Sequence, residues 1–156
     1  MESIKTILFP ADLSEASPKI VPYVRAMAEK FDAEVHVLFV ARVFDHYSGM
    51  GVPYSHITDL EKAILEQAQS SLVEFVKHEF GAMQVKPVVV SGYPAEEIIE
   101  YAKAKEVDLI IIGTHGRRGL GRILFGSVAE HVVKNAPMPV FIVNPYRRTP
   151  HMEADA

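Results

Sequence analysis

Leu109-Ile-Ile-Ile-Gly-Thr-His-Gly-Arg-Arg-Gly-Leu-Gly-Arg-Ile-Leu-Phe-Gly-Ser-Val-Ala-Glu130 is the stretch on which the reading of this 156-residue chain turns. It opens as a short, unbroken run of branched apolar residues ending in glycine, the signature of a strand buried on both faces. Five glycines follow (Gly113, Gly116, Gly119, Gly121 and Gly126), and His115, Arg117, Arg118 and Arg122 lie among them. No acidic residue occurs between Asp108 and Glu130, and Ser127 begins a segment with helical periodicity. A strand tip, backbone freed by glycine, local positive charge and an open helix start together make an anion site. The anion expected there is a nucleotide phosphate.

Working outward, the same strand–helix alternation repeats along the chain. Residues 4–10 read as a first strand that stops at Pro10. Ser14 or Ser17 is the expected N-cap of a helix running to about Lys30, with Pro18 at its start. Pro22 removes a backbone donor, so a late start or a kink is expected there. Residues 34–41 form a second apolar strand, with His36 facing the pleat or the rim. Residues 42–57 have no clear period and read as a long loop, either a lid or a disordered segment. Thr58-Asp-Leu-Glu61 is a capping box opening an amphipathic helix that ends at Gly81. Residues 85–90 form a third strand, placed at a sheet edge by Pro87. A helix follows from Pro94, a central fourth strand at 108–113, a helix at 127–134 and a fifth strand at 138–143.

Short apolar strands separated by helices specify a parallel α/β sheet covered on both faces by right-handed crossovers. Ligands of such sheets bind at the carboxyl ends of the strands, where the strand order reverses. Here that point lies between strands one and four, so Pro10, Ala11 and Asp12 face residues 113–127 across one crevice.

Composition narrows the function classes. A 49% apolar and 23% charged chain has enough apolar surface for one core, and the expected division is a single domain over 1–145 with a polar tail over 146–156. Zero cysteines exclude disulfides and thiolate chemistry, and fit a cytoplasmic protein. No apolar stretch reaches the roughly 18 residues of a membrane helix. The net charge of −4 gives no general pull toward nucleic acid, so the basic loop is a local feature suited to a small anion. The other histidines lack metal-ligand spacing, and no protein-built metal site is expected.

Three familiar nucleotide fingerprints are missing: G-x-G-x-x-G after the first strand, G-x-x-x-x-G-K-[ST], and a Ser-Gly-Gly-x-Asp-Ser loop. What stands instead is Gly113-x-x-Gly116, nine residues, then Gly126-Ser127. With Ile7-Leu-Phe-Pro-Ala-Asp-Leu-Ser-Glu at the start and Pro137-Met-Pro-Val-Phe-Ile-Val near the end, this resembles the universal stress protein family, in its nucleotide-binding branch, over nearly the whole chain. The resemblance implies an open five-stranded, Rossmann-like sheet of the adenine nucleotide alpha hydrolase-like kind, in strand order 3-2-1-4-5. It also implies a stress-response role and a homodimer, for which the fifth strand is the expected contact.

The resemblance carries over to single residues. Asp12 would meet the ribose hydroxyls or a hydrated Mg²⁺, and the backbone of Pro10, Ala11 and Val40 would frame the adenine. Gly113 and Gly116 would let the backbone close over ribose and α-phosphate, beside His115 and Arg117. Gly126, Ser127 and Val128 would bind the outer phosphates through N–H groups and the Ser127 hydroxyl, with Mg²⁺ held mainly by the phosphates. Plainer roles compete: Ser127 with Glu130 is also a capping box, Asp12 could cap the first helix, and the glycines could serve turns alone. The expected function is an ATP-binding regulatory protein whose state follows nucleotide occupancy. The alternative is a slow ATPase, for which Asp12 and His115 are the only candidate bases, neither with an evident orienting partner.

Overall fold

The computed structural model describes residues 3–42, 54–115 and 125–147, with the backbone alone for 54–57. The described strands are β1 (Thr6–Pro10), β2 (Glu34–Ala41), β3 (Val85–Ser91), β4 (Leu109–Gly113) and β5 (Val140–Val143). Between them run α1 (Ser17–Phe31), α2 (Tyr54–Phe80), α3 (Pro94–Ala104) and α4 (Ser127–Asn135). All strand pairs are parallel, in the order β3-β2-β1-β4-β5. This is the expected order, and Pro87 lies on the edge strand β3, where a missing donor costs no ladder bond.

Alternation along each strand sorts the core into two layers. Ile7, Phe9, Val35, Val37, Leu109 and Ile111 face α1 and α2, where Val24, Leu72 and Phe80 meet them. Leu8, Leu38, Ile110 and Ile112 face α3 and α4, against Ile98, Ala102 and Val132. Both faces of β1 and β4 are therefore buried, as their unbroken apolar runs require. Each fully buried side chain of this size contributes roughly 1.5–3 kcal/mol.

Several local expectations are corrected. Neither Ser14 nor Ser17 caps α1: the N-cap is Ala16, and Ser17 is the first helical residue. Pro22 lies inside that helix, which starts before it and continues for nine residues beyond it, so there is no late start. The second helix begins at Tyr54, so Thr58 and Glu61 sit within it rather than opening it. The sequence from Tyr54 to Thr58 holds no glycine or proline, so nothing stops the helix from extending backward. Glu61 Oε1 instead accepts from the Ser91 hydroxyl at 3.4 Å. Of the long loop expected at 42–57, residues 43–53 lie outside the described residues and 54–57 are helical. Strand β5 starts two residues later than expected; Pro139 has no N–H to pair, but its carbonyl accepts from Ile110 N at 3.0 Å.

His36 is buried at 6% exposure and fully engaged. Its Nδ1 lies 2.9 Å from the Tyr101 hydroxyl and its Nε2 3.1 Å from Glu34 Oε1, linking β2 to α3. Burial, with the nearby Glu34 charge, pushes the Tyr101 hydroxyl pKa above its ordinary 10.0.

The amino ends of β1 and β4 are fastened by one carboxylate. Asp108 Oδ2 accepts from the backbone N–H groups of Lys5 (2.8 Å) and Thr6 (2.9 Å), while Asp108 N donates to Thr6 O at 3.0 Å. Asp108→Ala leaves two strand-start donors without this acceptor and is expected to lower stability by about 1–3 kcal/mol. Urea unfolding checks this, and an unchanged midpoint would reduce the clasp to an ornament.

Candidate functional site

The first strand is shorter than its neighbour, and this creates the crevice. In the ladder β1 ends with Pro10 opposite Leu38, whereas β2 continues to Ala41. Ala11 N then donates to Leu38 O at 2.9 Å, and the chain turns away into α1. The β1-facing edge of β2 from Phe39 onward thus has no strand beside it, although its other edge still pairs with β3, Val40 opposite Val90. The side chain of Val40 packs, partly buried, against the α3–α4 layer, and its backbone lies along this open edge.

The turn after β1 is built around Asp12. Its Oδ1 accepts from Ser14 N at 3.0 Å and from the Ser17 hydroxyl at 2.9 Å, while Oδ2 takes no hydrogen bond among the described residues. The carboxylate therefore organises the approach to α1 without capping it. Leu13, between these partners, has φ 59°, the left-handed region that non-glycine residues seldom occupy.

On the opposite side, β4 delivers Gly113, Thr114 and His115. Thr114 is buried; its N–H donates to Val143 O at 2.9 Å and its carbonyl accepts from Gly126 N at 2.6 Å. Gly126 is the N-cap of α4 and Ser127 its first residue, and Glu130 N bonds back to Gly126 O at 3.0 Å. The N–H groups of Ser127 and Val128 consequently have no acceptor within the helix. Ser127 is exposed, and its hydroxyl makes no hydrogen bond among the described residues.

This geometry decides between several of the competing roles. The Ser127–Glu130 capping box does not form: the N-cap is Gly126, Ser127 is already helical, and Glu130 Oε1 accepts from Lys134 Nζ at 2.7 Å. That hydrogen bond and the Lys134 charge hold the Glu130 carboxyl below its usual range. Gly126 offers no free amide, since its N–H is taken by Thr114; the donors left at this helix start are those of Ser127, Val128 and Ala129, of which Ser127 and Val128 stand nearest the tip. Gly113 has a packing duty that sequence reasoning missed: a Cβ there would collide with Ile20 Cδ1 of α1. Asp12 and His115 do have orienting partners, for His115 Nδ1 lies 2.8 Å from Thr114 Oγ1. Gly116 and Arg117, with Arg118 and Arg122, lie outside the described residues.

The structure also brings in residues from outside the motif. The His115 ring meets the Tyr146 ring edge-on at 5.8 Å, and Lys19 Nζ lies 4.6 Å from the Tyr146 ring centroid. Tyr146, expected to open a polar tail, thus joins β5 to α1 beside the crevice. Its aromatic character was the only sequence signal available. Among the described residues no group of three or more side chains could hold a metal ion.

Residues 3–144 match the model of the universal stress protein family. Universal stress protein MJ0531 of Methanocaldococcus jannaschii is 39% identical, the match spanning 89% of this chain and 81% of that one. The solved structure of MJ0577 from the same organism is 32% identical and superposes with a TM-score of 0.80, covering 95% of this chain and 99% of its own. A universal stress protein from Archaeoglobus fulgidus, solved in complex with dAMP, shares the fold at 20% identity and a TM-score of 0.56, with 92% and 100% covered.

Gly113→Ala is expected to cost about 1–3 kcal/mol through overpacking against Ile20. Ile20→Val removes the colliding methyl, so the double variant should lose less than the two single losses added together. A double-mutant cycle by chemical denaturation checks this; strict additivity would contradict the packing role.

Proposed function

The chain belongs to the universal stress protein family, and from that premise we propose that it is a nucleotide-binding member that takes ATP in the crevice over β1. The observation that carries this reading is the pairing of two unsatisfied groups across that crevice. Asp12 offers an open carboxylate oxygen on one side, and the first turn of α4 offers unpaired amides and the Ser127 hydroxyl on the other. A carboxylate accepts from sugar hydroxyls; helix-start amides, with the positive end of the helix dipole, favour phosphate oxygens. The backbone of Pro10, Ala11 and Val40, lining the exposed edge of β2, suits the flat face and polar edge of adenine. The distant relative solved with dAMP shows that this fold can take an adenine nucleotide.

In this reading Ser127 and Val128 hold the outer phosphates, and Gly126 shapes the approach while its own amide stays on Thr114. His115 lies beside the phosphate path, and Gly116 and Arg117 belong to the same loop. Mg²⁺, when present, is carried mainly by the phosphates, with Asp12 the nearest carboxylate. The protein acts in the cytoplasm as a stress-response regulator, its state read out by occupancy of the crevice. Ligand released from freshly purified protein and identified by mass spectrometry should be an adenine nucleotide. Gly126→Val, whose Cβ would press on Thr114 O and so shift the start of α4, should abolish ATP binding in calorimetry while circular dichroism shows the protein still folded. Unchanged affinity would refute the site.

We further propose that two copies pair along β5. This strand is the outer edge of the sheet, and Phe141, on its α1–α2 face, is 38% exposed. An edge strand with an uncovered aromatic residue gains both ladder bonds and burial from a second copy. Light scattering should give twice the chain mass, and Phe141→Asp should halve it. A monomeric parent protein would overturn the pairing.

A further inference from the structure

The turn between β1 and α1 contains a hydroxyl that neither the family pattern nor the proposed binding role uses. Ser17 is 2% exposed, and its Oγ donates to Asp12 Oδ1 at 2.9 Å. The same oxygen accepts from Ser14 N at 3.0 Å, so two donors converge on Oδ1 and none on Oδ2. A carboxylate on a free rotor would share its oxygens between solvent and protein. Here the two donors fix the carboxylate plane and leave one defined oxygen for a ligand. The arrangement is held against a backbone penalty: Leu13 is in the left-handed region at φ 59°. Ser14 contributes further, its hydroxyl accepting from Ala16 N at 3.3 Å and its carbonyl from Ser17 N at 3.1 Å.

From this geometry we infer that Ser17 is a positioning residue that sets the selectivity of the crevice for ribose hydroxyls, by aiming Asp12 Oδ2 at the sugar. The inference rests on the nucleotide-binding reading above and specifies which part of the ligand this side of the crevice inspects. Ser17 touches no ligand itself. Its contribution is to keep the acceptor still, so that a sugar with hydroxyls gains a charge-assisted hydrogen bond and one without them meets a carboxylate with nothing to accept. A residue needed for folding alone would affect both sugars equally.

The test compares ATP with 2′,3′-dideoxy-ATP on the full-length protein by calorimetry, reading the ratio of the two affinities. Wild type should prefer ATP by roughly tenfold or more, the effect of a hydrogen bond to a charged acceptor. In Ser17→Ala the ATP affinity should fall while the dideoxy affinity holds, bringing the ratio to about threefold or less. Asp12→Asn, the control at the acceptor itself, should collapse the ratio in the same way. Should Ser17→Ala unfold, Ser17→Cys keeps the volume with a much weaker donor and should also lower the ratio. A ratio in Ser17→Ala or Ser17→Cys equal to that of wild type would overturn the inference, as would a wild type that binds both nucleotides equally. Either result leaves the nucleotide reading intact. A wild type that binds neither nucleotide would remove both.

Discussion

The chain changes its direction of winding between β1 and β4, and the parallel pairing of these two strands determines where every other element ends up. From β1 the chain builds outward through β2 to β3, then crosses back to start again on the other side of β1 with β4 and β5. The helices that follow β1 and β4, α1 and α4, lie on opposite faces of the sheet, the arrangement that opens a crevice at the carboxyl ends of these two strands. Both strands are buried on both faces, which keeps polar side chains out of their interiors and concentrates them at the two ends. The amino end is closed by Asp108, whose carboxylate takes two backbone donors. The carboxyl end is left with groups to spare.

That asymmetry separates stability from function along a single pair of strands. At the closed end the Asp108 carboxylate is spent on the backbone donors of Lys5 and Thr6. At the open end the accounts are deliberately incomplete: one oxygen of Asp12, and the first amides and hydroxyl of α4, have no protein partner among the described residues. Their neighbours are fully committed. Thr114 bonds to both Val143 and Gly126, and Asp12 Oδ1 holds both Ser14 and Ser17. Open groups mounted on committed ones are pre-organised, so a ligand need not spend binding energy on ordering them.

Much of this was legible in the sequence because it is written in local patterns. The run Leu109–Gly113 could only be a central strand, Pro87 could only be tolerated at an edge, and the alternation of strands with helices left one architecture. The errors came where a local signal was outranked by another contact, near or distant in sequence. Ser127 and Glu130 have capping-box spacing, but the helix takes Gly126 as its N-cap and Glu130 pairs with Lys134. Thr58 and Glu61 have it too, yet nothing upstream stopped the helix, and Glu61 turned to Ser91 on the neighbouring strand. Gly113 looked like a concession to a ligand and proves also to make room for Ile20, 93 residues earlier in the chain. Ser17 looked like a cap because caps are the usual use of a serine before a helix. Its true partner, five residues back, is visible only once the turn is folded.

The short bond between Gly126 N and Thr114 O closes a neck: the end of β4 and the beginning of α4 are tied together irrespective of what the intervening chain does. Lengthening a connection whose ends are already anchored costs little, about 0.6 kcal/mol for each doubling. The insert between strand and helix is thereby a replaceable cassette. Its side chains can change while the strand tip and helix start that present the amides keep their positions. The scaffold and its chemical vocabulary can evolve on separate clocks.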